Sequence, residues 1–214
     1  MDNKITKSLI IINIISFLFF IFLAYLIVYH KTASFDSHVY NIIAQYINEP
    51  LTIVSKILSD LGDTFGIVAI CLILLLIPKT RFTLGLPVSI TVTISALLNT
   101  GLKYIFKRPR PNILRLTAAA GYSFPSGHSM NNMVLYCMIT LCISLYIKNK
   151  IVSYLVYAIS YMIVLFIGLS RIYLGVHYAS DVVAGFSIGI WTATASYMIL
   201  RNSYFRKRLS SQGK

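Results

Sequence analysis

Two histidines and one aspartate stand out in the second half of a chain that carries little charge. His177 and Asp181 are four residues apart, so a helix that begins near His177 would present both side chains on one face. A carboxylate that hydrogen-bonds one ring nitrogen fixes the imidazole tautomer and leaves the other nitrogen free to attack. His128 belongs to a different predicted helix and could protonate a departing alkoxide as general acid. These three residues predict nucleophilic catalysis by histidine.

Nearby basic and small residues predict that the group under attack is a phosphate. Lys103, Arg110 and Arg171 come from two separated stretches of chain. A phosphate monoester carries about −1.5 to −2 charge at neutral pH, which Arg can grip bidentately and Lys can neutralise as a point charge. Ser126 and Gly127 precede an apolar run, where backbone N–H groups at a helix start bind anions and glycine permits close approach.

The composition places this chemistry in a membrane. Hydrophobic residues make up 57% of the 214 residues and charged residues 12%, against about 25% charged in a soluble domain. The mean hydropathy is +0.76. The net charge of +13 lies mostly in short loops between apolar runs, which favours anionic lipids or an anionic substrate and argues against nucleic acid. Cys71, Cys137 and Cys142 lie inside apolar runs and are expected to be small buried hydrophobes.

Six apolar runs predict the fold class, an all-α polytopic membrane protein with a six-transmembrane-helix bundle. The runs cover residues 9–29, 65–78, 84–106, 129–147, 151–169 and 182–200. The second run is short and is expected to borrow residues 60–64 or to tilt. The first run is longer than the apolar part of a signal peptide, so we interpret it as an uncleaved anchor. The chain is expected to be one domain, 1–214, with a motif-bearing core at 103–181.

The basic residues outside the motifs predict the orientation. Cytoplasmic loops are rich in Lys and Arg, and four segments on one side of a six-span bundle are basic. They contain Lys4 and Lys7, Lys79 and Arg81, Lys148 and Lys150, and Arg201, Arg206, Lys207 and Arg208. This predicts a multi-pass plasma-membrane protein with both termini in the cytoplasm. The other side breaks the rule, which marks its cations as candidates for function at an extracytoplasmic site. These cations are Lys103, Lys107, Arg108, Arg110, Arg115 and Arg171.

The segment 34–63 is expected to hold two short amphipathic helices separated by Pro50. An interfacial lid that guides lipid and plain packing over the bundle are equally consistent with it. The polar tail 210–214 is expected to be disordered. Gly185 and Gly189 form a small-xxx-small pair, which favours helix packing over a dimer face and leaves a homodimer open.

In order and spacing, three motifs resemble the type-2 phosphatidic acid phosphatase superfamily, which also contains the vanadium haloperoxidases. The family pattern K-x6-R-P matches Lys103 to Pro111, P-S-G-H matches residues 125–128, and S-R-x5-H-x3-D matches Ser170 to Asp181. The resemblance implies that His177 is the nucleophile, Asp181 its partner and His128 the general acid. It implies that the phosphoryl group is held by Lys103, Arg110, Ser126, Gly127, Ser170 and Arg171. Family spacing selects Arg110, and Arg108 is left between substrate binding and helix termination.

The resemblance implies a lipid phosphatase that uses no metal or other cofactor and works through a phosphohistidine intermediate at the extracytoplasmic face. The substrate would be undecaprenyl diphosphate, phosphatidylglycerophosphate or phosphatidic acid, and the partners would be membrane lipids. A lipid-to-lipid phosphotransferase is a close alternative. A non-catalytic lipid transporter or sensor comes from another functional class, and a haloperoxidase-like protein would need bound vanadate and halide oxidation.

Overall fold

A computed structural model of the chain describes residues 3–144, 146–147 and 149–200, and these residues form eight α-helices and no strand. The helices are α1 (Asn3–Val28), α2 (Ala33–Ala44), α3 (Glu49–Leu61), α4 (Thr64–Leu76), α5 (Leu86–Phe106), α6 (Gly127–Ile143), α7 (Lys150–Tyr173) and α8 (Ala179–Leu200). A π-helical turn, Arg81–Gly85, leads directly into α5. The all-helical class predicted from the sequence is therefore confirmed for the described residues.

The helix lengths give four clear membrane spans among the described residues. α1, α5 with its π-helical turn, α7 and α8 are each long and apolar enough to cross a bilayer. α3 and α4 meet at a 49° bend and together can count as a fifth, broken span. α6 has 17 residues, about 25 Å of helix, which is less than a hydrocarbon core of about 30 Å. Six spans therefore remain a prediction.

Several predicted bounds were wrong by a few residues. α6 stops at Ile143 rather than at 147, whereas α7 continues to Tyr173 rather than ending at 169. For the short second run, α4 begins at Thr64, one residue before the predicted start, so its extension through residues 60–64 stays a prediction. Lys148, Arg201, Arg206, Lys207, Arg208 and the tail 210–214, which entered the orientation argument or the disorder prediction, lie outside the described residues.

The centre of the bundle is formed by α1, α6 and α8. On α8, Gly185 and Gly189 face α6: a Cβ at Gly185 would lie 2.8 Å from the Ser126 carbonyl oxygen, and one at Gly189 would lie 2.8 Å from the Met130 carbonyl oxygen. The amide of Asn13 ties α1 to α8 by donating to the Trp191 carbonyl at 2.9 Å. The two glycines therefore serve helix packing within the chain.

Local signals set the helix ends that carry the site. Ser126 caps α6 by accepting the Ser129 N–H, as expected for a hydroxyl residue at this position. α5 ends at Lys107, which adopts the left-handed conformation with φ 46°, and Pro109 and Pro111 then prevent the helix from continuing. Gly175 has φ +70° in the turn between α7 and α8, where a Cβ would collide with the Leu114 carbonyl. Only glycine fits this turn, which leads into His177.

The segment between α1 and α4 contains α2 and α3, and both are attached to the bundle. The Tyr173 hydroxyl accepts the Asn48 N–H at 3.1 Å, just before α3. The carbonyl of Gly62, just after α3, accepts a 2.7 Å hydrogen bond from the Asn132 amide of α6. These bonds are consistent with packing over the bundle, and the interfacial lid remains a prediction.

Candidate active site

A cavity of about 440 Å³ lies between α3, α5, α6, α7 and the stretch 117–120 of the α5–α6 loop. Six of the residues singled out for chemistry line it, namely Lys103, Arg110, Gly127, His128, Arg171 and His177. They come from four separate parts of the chain, and the fold brings them to one end of the bundle. The cavity is the natural place for a phosphate, since three cations border it.

His177 is held in one tautomer by partners that each allow a single hydrogen-bonding role. Its Nδ1 lies 3.4 Å from Asp181 Oδ2, and an ionised carboxylate can only accept. Its Nε2 lies 3.2 Å from Arg110 Nη1, and a guanidinium can only donate. Nδ1 therefore carries the proton, and the lone pair of Nε2 points to the cationic side of the site. The two catalytic candidates meet although α8 begins at Ala179, two residues later than their spacing suggested.

Burial keeps His177 neutral. Its side chain is almost fully enclosed, and the loss of hydration lowers the pKa of His177 to about 4. The hydrogen bond to Asp181 and its charge oppose this shift, while the charges of Arg110 and Arg171 add to it. At neutral pH the imidazole is therefore unprotonated at Nε2 and able to act as a nucleophile.

The three cations differ in how firmly they are held. Arg110 donates to the carbonyl oxygens of Val176 and Ala120, both at 2.8 Å, so its guanidinium is fixed beside His177. Arg171 is buried and donates to the Ser59 hydroxyl, while its Nε has no hydrogen-bond partner among the described residues. Lys103 reaches the start of α6, where a Cβ on Gly127 would lie 3.9 Å from its Nζ.

His128 faces a carboxylate that sequence reasoning did not single out. Its Nε2 lies 3.9 Å from Oδ1 of Asp63, and Asp63 and Asp60 both line the cavity. Asp63 directly follows Gly62 at the bend between α3 and α4, so no spacing rule connects it to α6. A half-exposed carboxylate at this distance can help to orient a histidine that exchanges protons with water.

Three other predicted site residues lie behind the cavity wall. Asp181 is fully buried and reaches the cavity only through His177. The Ser126 hydroxyl accepts from the Ser129 hydroxyl at 3.0 Å, and the Ser126 N–H donates to the Asp181 carbonyl. The Ser170 hydroxyl donates to the Ile167 carbonyl of its own helix. In this structure both serines are engaged within the protein and neither lines the cavity, so their part in phosphate binding remains a prediction.

Arg108 makes contacts that the sequence did not predict, and the two alternatives left open for it stay predictions. Its guanidinium donates to Asp181 Oδ1 at 2.6 Å and to Asp36 Oδ2 at 2.8 Å. It therefore points away from the phosphate cavity and contacts the outer side of the His177–Asp181 pair. Asp36 was not singled out from the sequence, because an aspartate in the middle of α2 carries no motif.

The family profile of the PAP2 superfamily matches residues 83–205, more than half of the chain. The chain belongs to the PAP2 superfamily. The match confirms the resemblance that the three motifs suggested, and it includes every predicted catalytic and phosphate-binding residue.

Two proteins with sequences similar to this chain are phosphatases. Over 98 residues the chain is 41% identical to phosphatidylglycerophosphatase B of Bacillus subtilis (strain 168), a match that covers 44% of this chain and 47% of that protein. It is 28% identical over 148 residues to an undecaprenyl-diphosphatase of Sulfolobus acidocaldarius, covering 66% of this chain and 67% of that one. The chain thus matches about half the length of the Bacillus protein.

Two solved structures share the fold of this chain. The transmembrane PAP2-type phosphatidylglycerolphosphate phosphatase from Bacillus subtilis superposes with a TM-score of 0.81 at 28% identity, over 89% of this chain and 96% of that one. LpxE of Aquifex aeolicus superposes with a TM-score of 0.63 at 24% identity, over 75% and 93% of the two chains. The second likeness supports the PAP2 fold alone.

Proposed function

We propose that the protein is a membrane lipid phosphatase that works through a phosphohistidine at His177, at the extracytoplasmic face. The observation that carries the proposal is the arrangement around the His177 ring, whose two nitrogens face different groups. Nδ1 meets the buried carboxylate of Asp181 at 3.4 Å, and Nε2 faces a cavity bordered by Lys103, Arg110 and Arg171. A neutral nucleophile directed into a cationic cavity suits attack on a phosphate and has no clear purpose in a lipid transporter or sensor.

In the first step, Nε2 of His177 forms a bond to phosphorus and the bond from phosphorus to the leaving oxygen breaks. Burial and the charge of Arg171 lower the pKa of His128 to about 3 in the free site, and the negative charge of a bound phosphate opposes this shift. Protonated in that complex, His128 gives its proton to the leaving oxygen, so the lipid leaves as an alcohol or, from a diphosphate, as a monophosphate. Asp181 stabilises the positive charge that develops on the His177 ring. The three cations balance the negative charge on the equatorial phosphoryl oxygens.

In the second step, water attacks phosphorus and the bond from Nε2 to phosphorus breaks. His128, now neutral, accepts a proton from the attacking water, which restores its starting state. Inorganic phosphate leaves and His177 is again the neutral Nδ1–H tautomer. No metal enters either step, and metal independence is part of the proposal.

The substrate class follows from the cavity and from the relatives. The 440 Å³ cavity suits a phosphorylated headgroup, and we expect the acyl or isoprenoid chains to stay in the bilayer. The named relatives include a phosphatidylglycerophosphatase and an undecaprenyl-diphosphatase. We therefore propose a lipid phosphate or diphosphate, with phosphatidylglycerophosphate, undecaprenyl diphosphate and phosphatidic acid as the candidates.

The decisive experiment measures phosphate release from these three lipids by the purified protein in detergent with excess EDTA. The matched variants are His177→Ala and His38→Ala; His38 is an exposed histidine of α2 that lies outside the cavity lining. We expect release by the wild type and by His38→Ala, and none by His177→Ala. Quenching in alkaline sodium dodecyl sulfate with a substrate labelled on the transferred phosphate should leave label on His177 in an alkali-stable, acid-labile form.

Three outcomes would contradict the proposal in different ways. Release by His177→Ala at the wild-type rate would remove His177 as nucleophile. Loss of activity in EDTA that returns with a divalent cation would contradict metal independence. Absence of phosphate release together with transfer of label to an acceptor lipid would make the protein a phosphotransferase.

A further inference from the structure

We propose that Asp36 and Arg108 are positioning residues that hold the Asp181 carboxylate against His177, so that α2 is part of the catalytic apparatus. The inference rests on the proposed function, because it concerns how the nucleophile of that reaction is oriented. The family motifs include neither residue. The contacts of the two side chains, their burial and their charges carry the argument.

Arg108 joins the two carboxylates through separate nitrogens. Nη1 donates to Asp181 Oδ1 at 2.6 Å and to the Ser180 hydroxyl at 2.8 Å. Nη2 donates to Asp36 Oδ2 at 2.8 Å and to the Thr32 hydroxyl at 3.2 Å. The guanidinium carbon also lies 4.0 Å from the ring centroid of Tyr178, the residue after His177. Such a planar fork has one allowed orientation, which a lysine could not reproduce.

Asp36 fixes the other side of this arrangement. Its Oδ1 accepts the Ser180 backbone N–H at 2.8 Å, and its Oδ2 accepts the Ser180 hydroxyl at 2.8 Å. The side chain thus caps the first turn of α8, the turn that carries Asp181, although it belongs to α2. Asp36 is 4% exposed and Asp181 is 0% exposed, so water does not compete for these bonds.

The two carboxylate oxygens of Asp181 consequently bind different partners. Oδ1 is occupied by Arg108. Oδ2 accepts the Tyr178 N–H at 3.0 Å and faces Nδ1 of His177 at 3.4 Å. Without Arg108, nothing on the side of α2 would prevent the carboxylate from rotating about its terminal bond. A carboxylate aligned in advance is what a histidine nucleophile requires to keep its tautomer.

The charges also favour a role in tuning His177. Asp36, Arg108 and Asp181 sum to −1, and this single negative charge faces the His177 ring. On the cavity side, the ring faces Arg110, Arg171, Lys103 and His128. Loss of Arg108 would leave two buried carboxylates behind the ring and make His177 easier to protonate, whereas loss of the Asp36 charge would make it harder. The two neutral variants therefore have opposite expected effects on His177.

The first test compares steady-state rates of the full-length protein in detergent on whichever lipid phosphate the wild type hydrolyses. For Arg108→Gln and for Asp36→Asn we expect kcat to fall about 10- to 100-fold, the usual effect of removing a partner that orients a catalytic ligand, with KM little changed. Lys56→Gln and Glu49→Gln are the matched controls, because they change the same charges at exposed positions, and both should retain wild-type rates.

The double variant separates positioning from simple damage. If the two residues act as one unit, Asp36→Asn in the Arg108→Gln background restores the net charge behind His177 and costs no further activity. If each substitution merely weakens the fold, the two losses multiply. Thermal unfolding of every variant shows whether the protein is folded at the assay temperature. Arg108→Lys, which retains the charge and loses the fork, should have an intermediate kcat.

The second test measures the protonation of His177 and does not require catalytic turnover. Diethyl pyrocarbonate modifies neutral imidazole, so the pH dependence of modification at His177, followed by peptide mass spectrometry, reports its protonation. We expect the midpoint in Arg108→Gln to rise by about one pH unit above wild type, and the midpoint in Asp36→Asn not to rise. Equal midpoints in all three proteins, or multiplicative loss in the folded double variant, would overturn the inference. Failure of the wild type to release phosphate would instead overturn the proposed function and leave this titration interpretable.

Discussion

At the residue scale, the defining feature is His177, whose ring is kept neutral by burial and held in one orientation by Asp181. An isolated His titrates near pH 6.5 and would be partly charged in a mildly acidic medium. Burial lowers the pKa of His177 to about 4, so the nucleophile remains available over the whole physiological range. In the proposed mechanism, Asp181 supplies the negative charge that favours the cationic ring once phosphorus has bonded to Nε2.

The acid limb of the rate profile should reflect this environment. His177 must be unprotonated to attack, and its pKa is lowered, so protonation of His177 reduces activity only as the pH decreases through about 4. An ordinary histidine would lose half of its activity near pH 6.5. The measurement is kcat/KM from pH 3.5 to 8, calculated per substrate dianion so that ionisation of the lipid phosphate divides out. Samples returned to pH 7 should regain activity, and a reversible midpoint near 6.5 would contradict the assigned environment.

Arg171 should bind the phosphoryl group through an atom that is otherwise unsatisfied. Its buried Nε has no partner among the described residues, and a buried unpaired donor costs about 1–3 kcal/mol. An oxyanion in the cavity would satisfy it. We therefore expect competitive inhibition by vanadate, and a 10- to 100-fold weaker inhibition constant in Arg171→Gln, about 1.5–3 kcal/mol for a hydrogen bond to a charged group. The exposed Arg81→Gln is the control, and equal inhibition of both variants would remove Arg171 from the phosphate site.

Residue types and spacing predicted well which side chains lie together, because motif residues carry local geometry. His177 and Asp181 were expected to meet since four residues separate them, and they do meet across the start of α8. Arg108 and Asp36 were not paired from the sequence, because 72 residues separate them and no period relates a loop after α5 to the middle of α2. Contacts of this kind depend on the tertiary packing of elements whose own patterns are unrelated.

At the element scale, the approach of α8 to α6 determines where the site residues stand. α6 begins with Gly127 and His128, and α8 begins two residues after His177. Hydropathy located both helices, because membrane-spanning runs are long and apolar. It did not locate the end of α6, because apolar residues continue past Ile143, and it left the start of α4 between an extension through residues 60–64 and a tilt. Helix ends depend on capping and tertiary contacts more than on hydropathy.

Gly189 should be intolerant of a side chain for the same reason. A Cβ there would lie 2.8 Å from both the Met130 carbonyl oxygen and the Met133 Cβ of α6, so the helices would have to separate. We expect Gly189→Ala to lower the free energy of unfolding by about 1–3 kcal/mol, read as a lower Tm in detergent. Gly101→Ala on α5 is the matched control, because nothing lies within 4 Å of its added Cβ. A Tm of Gly189→Ala at or above that of the control would contradict the close packing of α6 and α8.

At the scale of the whole molecule, the charge distribution and the site have to be explained together. The expected outer side carries cations that the positive-inside rule would place in the cytoplasm. The structure gives several of them internal partners: Arg108 bonds Asp36 and Asp181, Arg110 bonds backbone carbonyls beside His177, and Arg115 donates to the Pro111 carbonyl. These side chains therefore stabilise the fold and the site through internal hydrogen bonds. The positive-inside rule then applies to the basic residues of the remaining loops, which it places in the cytoplasm. We therefore expect the cavity to face outward.

Cysteine labelling can decide this orientation directly. The native Cys71, Cys137 and Cys142 are all buried, so an impermeant maleimide applied to intact cells should leave the wild type unlabelled. Lys79→Cys introduces an exposed thiol before the start of α5, and Asn112→Cys introduces one after its end. The helix between them is about 31 Å long at 1.5 Å per residue.

If the cavity faces outward, Asn112→Cys is labelled in intact cells and Lys79→Cys only after the membrane is opened. The reverse pattern would place the site in the cytoplasm, where a lipid phosphate made on the inner leaflet would be the substrate and a carrier released outside would not. Labelling of both positions in intact cells would contradict α5 as a membrane span. The orientation thus selects among the candidate lipids, because a headgroup can enter the cavity only from the leaflet that the cavity faces.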